Sequence, residues 1–169
     1  MASKWHREIQ KILRDYGNEL KKKVELIKVG GHGQPFQIPH TNIKNVTVQY
    51  KPDVYYVYRK KNLIIVFEVI DSESNDQIHA DVVKSLLVGH VNTAVALVFI
   101  TKDEKRKKEV RNEAEVIYKQ LTNVFNQPPV KPFQVRVVDI SPEELEESSV
   151  IDKIKKEIQL IKKGIRRRK

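Results

Sequence analysis

Cysteine is absent from the chain, and methionine and tryptophan occur once each. Without thiols there are no disulfides, no cysteine nucleophile and no cysteine-ligated zinc. Long apolar runs are missing as well. The longest, Ala94 to Ile100, is far short of the ~20 residues that cross a bilayer. The opening residues, MASKWHRE, hold no apolar signal core, so a cytoplasmic location without membrane attachment is the expectation. Acidic residues are in deficit, 22 Asp and Glu against 32 Lys and Arg, which leaves a formal charge of +10. That balance suits a polyanion such as a phosphate backbone, although anionic membranes and acidic proteins attract it too.

At 169 residues there is room for one core. The expected domain spans 1–140, with a C-terminal amphipathic helix and basic tail over 141–169 packed on it. Trp5, Ile9, Ile12, Leu13, Tyr16 and Leu20 recur at helical spacing and predict a first helix from Lys4 to Lys22. Val24 to Val29 reads as a short strand, followed by a loop opening with Gly30, Gly31, His32 and Gly33. Val46–Tyr58 and Leu63–Ile70, rich in β-branched and aromatic residues, read as a hairpin turning at Arg59, Lys60, Lys61 and Asn62. A helix with the stripe Ile78, Val82 and Leu86 comes next, then a buried strand, Ala94–Ile100. A third helix runs from Val110 to Phe125 and a last strand from Phe133 to Ile140. Ser141, Pro142 and Glu144 have capping-box spacing before a final stripe of isoleucines. The order α-β-β-β-α-β-α-β-α predicts an α/β fold with a mixed central sheet flanked by helices.

Two acids interrupt the hairpin strands, Asp53 and Glu68. With the turn centred between Lys60 and Lys61 they face each other, their Cβ atoms about 5 Å apart, where like charges destabilise a sheet. A divalent cation is the natural compensation, because hard oxygen ligands suit Mg²⁺ or Mn²⁺. A different register or a bulge would instead separate the acids and leave one at a strand edge.

From Trp5 to Ile100 the chain resembles the PD-(D/E)xK nuclease superfamily, which includes restriction endonucleases and archaeal Holliday-junction resolvases. The resemblance rests on a leading helix, Pro52-Asp53 entering a hydrophobic strand, the segment Asn62-Leu-Ile-Ile-Val-Phe-Glu68-Val69-Ile70, and the helix and buried strand after it. It implies a restriction-endonuclease-like fold and hydrolysis of DNA phosphodiesters, with RNA not separated from DNA. Asp53, Glu68 and the backbone carbonyl of Val69 would hold Mg²⁺ or Mn²⁺. Glu8, which with His6 and Glu19 flanks the apolar stripe of the first helix, would be a further carboxylate, and Asp71 a replacement ligand if the register shifts. The chain departs from the family at Ile70, where a lysine usually stands. Lys51, opposite Ile70 in the same register, and Lys84 on the next helix are the substitutes. At about 100° per residue, however, Lys84 falls with Gln77 and Asp81 away from the apolar stripe, which reads as a solvated flank. A solvated face is also the alternative for Lys51 and Glu8.

Phosphate positioning is expected from Arg59, Lys60 and Lys61, from the glycine loop with His32, and from the tail residues Arg166, Arg167 and Arg168. Tyr55, Tyr56 and Tyr58 stack on bases or, more ordinarily, fill the core. Many nucleases that cut both strands are dimers, so a homodimer is the expected assembly. A nuclease-like domain without catalysis, serving as a nucleic-acid-binding or assembly module, is the alternative that Ile70 raises.

Overall fold

The computed structural model describes residues 2–31, 36–37, 49–60, 62–86, 88, 93–124 and 133–166. Helix α1 (Lys4–Lys22) forms where the apolar residues recur, and all six of its stripe residues are buried. Ser3 caps it by accepting the amide of His6 at 3.2 Å. Its other end closes in a Schellman turn. Glu25 N–H donates to the Leu20 carbonyl and Val24 N–H to that of Lys21, with Val24 in the left-handed region at φ 63°.

Strand β1 (Leu26–Gly31) takes in Gly30 and Gly31, which the sequence pattern assigns to a loop. A Cβ at Gly31 would lie 2.1 Å from the carbonyl oxygen of Asp53, so glycine is what lets β1 pass this close. The single strand expected over Val46–Tyr58 is two. A separate ribbon joins β2 (Phe36–Gln37) to β3 (Gln49–Tyr50), and β4 (Val54–Tyr58) begins only after a break. Pro52 accounts for the break, because it has no N–H for a ladder.

Strand β5 (Leu63–Ile70) pairs antiparallel with β4 in the register expected from the turn, from Val54 opposite Phe67 to Tyr58 opposite Leu63. Helix α2 (Asn75–Leu86), strand β6 (Ala94–Thr101), helix α3 (Glu104–Val124) and strand β7 (Phe133–Asp139) follow. The result is a five-stranded mixed sheet in the order β1-β4-β5-β6-β7, antiparallel on the β1 side and parallel from β5 to β7. Every residue of β5 and β6 is buried, as in strands covered on both faces. Leu63, Ile65, Phe67 and Val69 pack towards α1 and the final helix α4 (Glu147–Arg166), while Ile64, Val66 and Ile70 pack towards α2 and α3. Tyr55, Tyr56 and Tyr58 are core residues.

The layers create two poles. At one, the C-terminal ends of β5, β6 and β7 meet the start of α1, where the Trp5 indole Nε1–H donates to the Ile140 carbonyl at 3.0 Å. Between β7 and α4 a short 3-10 turn (Pro142–Glu144) follows Ser141, whose N–H donates to the Glu144 carboxylate at 3.0 Å. Helix α4 then runs back along β7. Lys153 Nζ donates to the Asp139 carbonyl at 3.0 Å, Arg136 pairs with Glu157 at 2.8 Å, and Gln134 Nε2 donates to the Ile161 carbonyl at 3.2 Å. The opposite pole therefore gathers the β4–β5 turn and the C-terminal ends of α1 and α4. No helix among the described residues is long and apolar enough to cross a membrane.

Candidate functional site

At the first pole, where β4 begins and β5 ends, Asp53 and Glu68 line one cavity of about 440 Å³. Asp53 stands one residue before β4, just past the end of the ladder. Its amide, with no strand carbonyl to bond, donates to Glu68 Oε2 at 3.3 Å. In return the Val69 amide donates to Asp53 Oδ2 at 2.8 Å. Val69, whose carbonyl is the expected third ligand, lines the same cavity.

The second oxygen of each acid is held by a side chain. Gln10 Nε2 donates to Asp53 Oδ1 at 2.5 Å, and the Tyr50 hydroxyl donates to Glu68 Oε1. His6 Nε2 lies 3.3 Å from Asp53 Oδ2 and 2.9 Å from Gln10 Nε2. Helix α1 thus reaches the site through His6 and Gln10, both buried. Glu8, the first-helix candidate, is not among the residues that line the cavity, because two residues along α1 from both His6 and Gln10 it falls about 200° round the helix, on the other side. Glu19 lies near the other end of α1.

Helix α2 supplies the far wall with Gln77, Asp81 and Lys84, and Glu73 stands just before it. The phase argument that sends Lys84 to solvent fails for a positional reason. The helix lies beside the end of β5, so the flank of its apolar stripe faces the acids. Lys84 Nζ sits 6.0 Å from the centre of the Tyr50 ring, and Ser85 Oγ donates to the Tyr50 hydroxyl at 3.2 Å. Lys51 also lines the cavity, but it is exposed and outside the ladder, so it is not paired with Ile70 as the unbroken strand requires. Ile70 itself is buried against α2.

The concentration of acids moves their protonation. Burial, then the like charges of Asp81 and Asp53, push the Glu68 carboxyl well above the usual range. Burial likewise pushes Asp81 up to about 7, although the Gln77 amide, 2.8 Å away, and Lys84 oppose the rise. The hydrogen bond to Asp53 raises the His6 imidazole against the cost of its burial. Among the described residues, no three His, Asp or Glu side chains are already gathered as a cation cage.

Other expectations fall elsewhere. Asp71 is ion-paired with Lys102 and does not line the cavity. Arg59 and Lys60 lie at the opposite pole, beyond the Tyr58–Leu63 pair. Glu68 follows Leu63 by five positions along β5, about 17 Å of strand. Their place at the hairpin turn rules them out as contacts for a phosphate held at the acids. His32, Lys61, Arg167 and Arg168 lie outside the described residues; of Arg166 only the backbone, ending α4, is described. Asp81, Tyr50, His6 and Gln10 join the site without having been singled out as its members. The available signal was the grouping of Gln77, Asp81 and Lys84 on one flank of α2.

No family model, no curated protein and no solved structure matches the chain.

Proposed function

We propose that the chain is a divalent-metal-dependent nuclease hydrolysing DNA phosphodiester bonds, with Asp53 and Glu68 as ligands of Mg²⁺ or Mn²⁺. The reading is carried by one observation: the two acids, from neighbouring strands, line a single cavity together with Lys51 and Lys84. The element order from α1 to β6 and the mixed sheet support a restriction-endonuclease-like domain.

The donor set fits such an ion. Carboxylate oxygens are the ligands that Mg²⁺ and Mn²⁺ prefer. Each acid keeps one oxygen on a backbone amide of the neighbouring strand and gives the other to a side chain, Gln10 or Tyr50. A carboxylate has about four lone-pair sites, so each acid can keep these partners and still offer a lone pair to an ion. When bound, the ion supplies Lewis acidity to a phosphoryl oxygen and acidity to a water. Lys84 takes the part of the lysine missing at position 70, its positive charge steadying the charge that builds on the phosphoryl group. Incubating the purified protein with duplex, branched and single-stranded DNA in Mg²⁺ or Mn²⁺ tests the reading. Cleavage that disappears with chelator and in Glu68→Gln supports it, and no cleavage of any of the three substrates defeats it.

A second reading has its own observation. Ile70, 1% exposed, fills the lysine position, and all four carboxylate oxygens already have protein partners. These favour a nuclease-like domain that binds nucleic acid without cutting it. Salt-sensitive DNA binding with no cleavage under any metal is its expected result.

A further inference from the structure

The pole opposite the acids carries a second concentration of charge, of the other sign. The last turn of α1 ends in Lys21 and Lys22 and is followed by Lys23, all exposed. The β4–β5 turn adds Arg59 and Lys60, also exposed, and is tied to α1 by the Arg59 amide, which donates to the Glu25 carbonyl at 3.1 Å. The end of α4 adds Lys163 and Lys162, whose Nζ sits 4.5 Å from the centre of the Tyr58 ring. Seven cations stand there against two carboxylates, Glu19 and Glu25.

Pairing sets these cations apart from three at the other pole. At the acid pole Lys102, Lys107 and Lys153 are each neutralised, by Asp71, Asp139 and Glu144. Among the described residues, Lys21, Lys22, Lys23, Arg59, Lys60 and Lys163 form no ion pair. Unneutralised like charges held on three rigid element ends repel one another, a cost that an anionic partner relieves. Two exposed apolar side chains stand among them. Val24 is 57% exposed at the Schellman turn, in a backbone conformation that favours glycine, and Ile27 is 52% exposed on β1.

We infer that this pole is a second nucleic-acid site, which grips the phosphate backbone independently of the acid cavity. Regularly spaced phosphates match cations presented from separate elements, and apolar tips of this size suit sugar edges. An anionic membrane surface fits less well, because among the described residues no amphipathic helix with bulky apolar residues is offered for insertion. Lys22 follows His6 by sixteen residues of α1, about 24 Å of helix, so no single phosphate contacts both poles. The site stands whether or not the cavity hydrolyses anything.

Fluorescence anisotropy with a labelled 20-base-pair duplex, titrated at several salt concentrations, tests the inference on the full chain. Lys22→Gln, Lys23→Gln, Arg59→Gln and Lys60→Gln are combined in one variant. A control carries Lys105→Gln, Lys108→Gln, Arg111→Gln and Lys119→Gln on α3, removing equal charge. The pole variant is expected to bind about tenfold or more weakly at low salt, with a shallower dependence of affinity on salt. The control should bind as the parent does. Equal losses in both four-residue variants, or no loss in the pole variant, would overturn the site. So would binding to phosphatidylserine vesicles with none to the duplex. Melting curves confirm that both variants are folded.

Discussion

Asp53 and Glu68 are joined through each other's strands: the Asp53 amide donates to Glu68 Oε2 at 3.3 Å, and the amide that follows Glu68 donates to Asp53 Oδ2 at 2.8 Å. The backbone thereby holds two carboxylates together that electrostatics would part. Glu68→Gln keeps one acceptor oxygen, replaces the other with an NH2 group and removes a carboxylate. We expect unchanged or raised thermal stability without metal, loss of Mn²⁺ binding by calorimetry, and cleavage lowered by about 10²- to 10³-fold. A variant that binds Mn²⁺ like the parent removes Glu68 from the ligand set.

Lys84 and Lys51 line the same cavity, but only Lys84 stands on a helix packed against the end of β5. Lys84→Met is therefore expected to lower kcat by about 10²-fold with KM little changed. Lys51→Met, altering an exposed side chain, should cost far less. Steady-state kinetics on one oligonucleotide substrate decides between them, and the reverse ranking would assign the role to Lys51.

Much of the fold is legible in the sequence because burial imposes a period. The first helix and the third strand of the main sheet have their expected limits, and the hairpin register follows from the turn. The break at Pro52 is harder to read, because the flanking residues keep strand character while the ladder lacks an N–H. The acid pair is legible since carboxylates are costly inside apolar strands. Gln77, Asp81 and Lys84 are not. Helical phase shows which residues share a flank, but whether that flank meets water or a cleft depends on where the helix docks. The far placement of Arg59 and Lys60 has the same origin, since a turn's basic residues say nothing about which end of the sheet holds the chemistry.

Stability of the metal-free protein should fall as pH rises from about 4 to about 7. Burial raises Asp81 to about 7 and raises Glu68 in the same direction. In that window the native state holds protons that the unfolded chain has released, so deprotonation favours unfolding. His6, also raised, adds stability below its unfolded value that is lost as pH climbs through the folded one. Asp139 and Glu144, held low by Lys107 and Lys153, act at more acidic pH and in the opposite sense. Urea midpoints measured with chelator should drop between pH 5 and pH 8, and Asp81→Asn should flatten the trend. A rising midpoint over that range would show that the acids ionise without penalty.

Val24 occupies the position of the Schellman turn that glycine usually takes, at φ 63°, with its side chain 57% exposed. A β-branched residue in the left-handed region is strained by roughly 1–2 kcal/mol. Burial returns little of this at such exposure. Val24→Gly removes the strain and loosens the unfolded chain, two effects of opposite sign, of which strain relief is the larger. The variant should therefore be more stable by about 1 kcal/mol, read as a higher urea midpoint with an unchanged slope. Val24→Ala should gain less, since alanine keeps the Cβ that meets the following carbonyl oxygen. If glycine destabilises the protein instead, the valine methyls pack on their surroundings more than their exposure indicates, and the turn is not a site of strain.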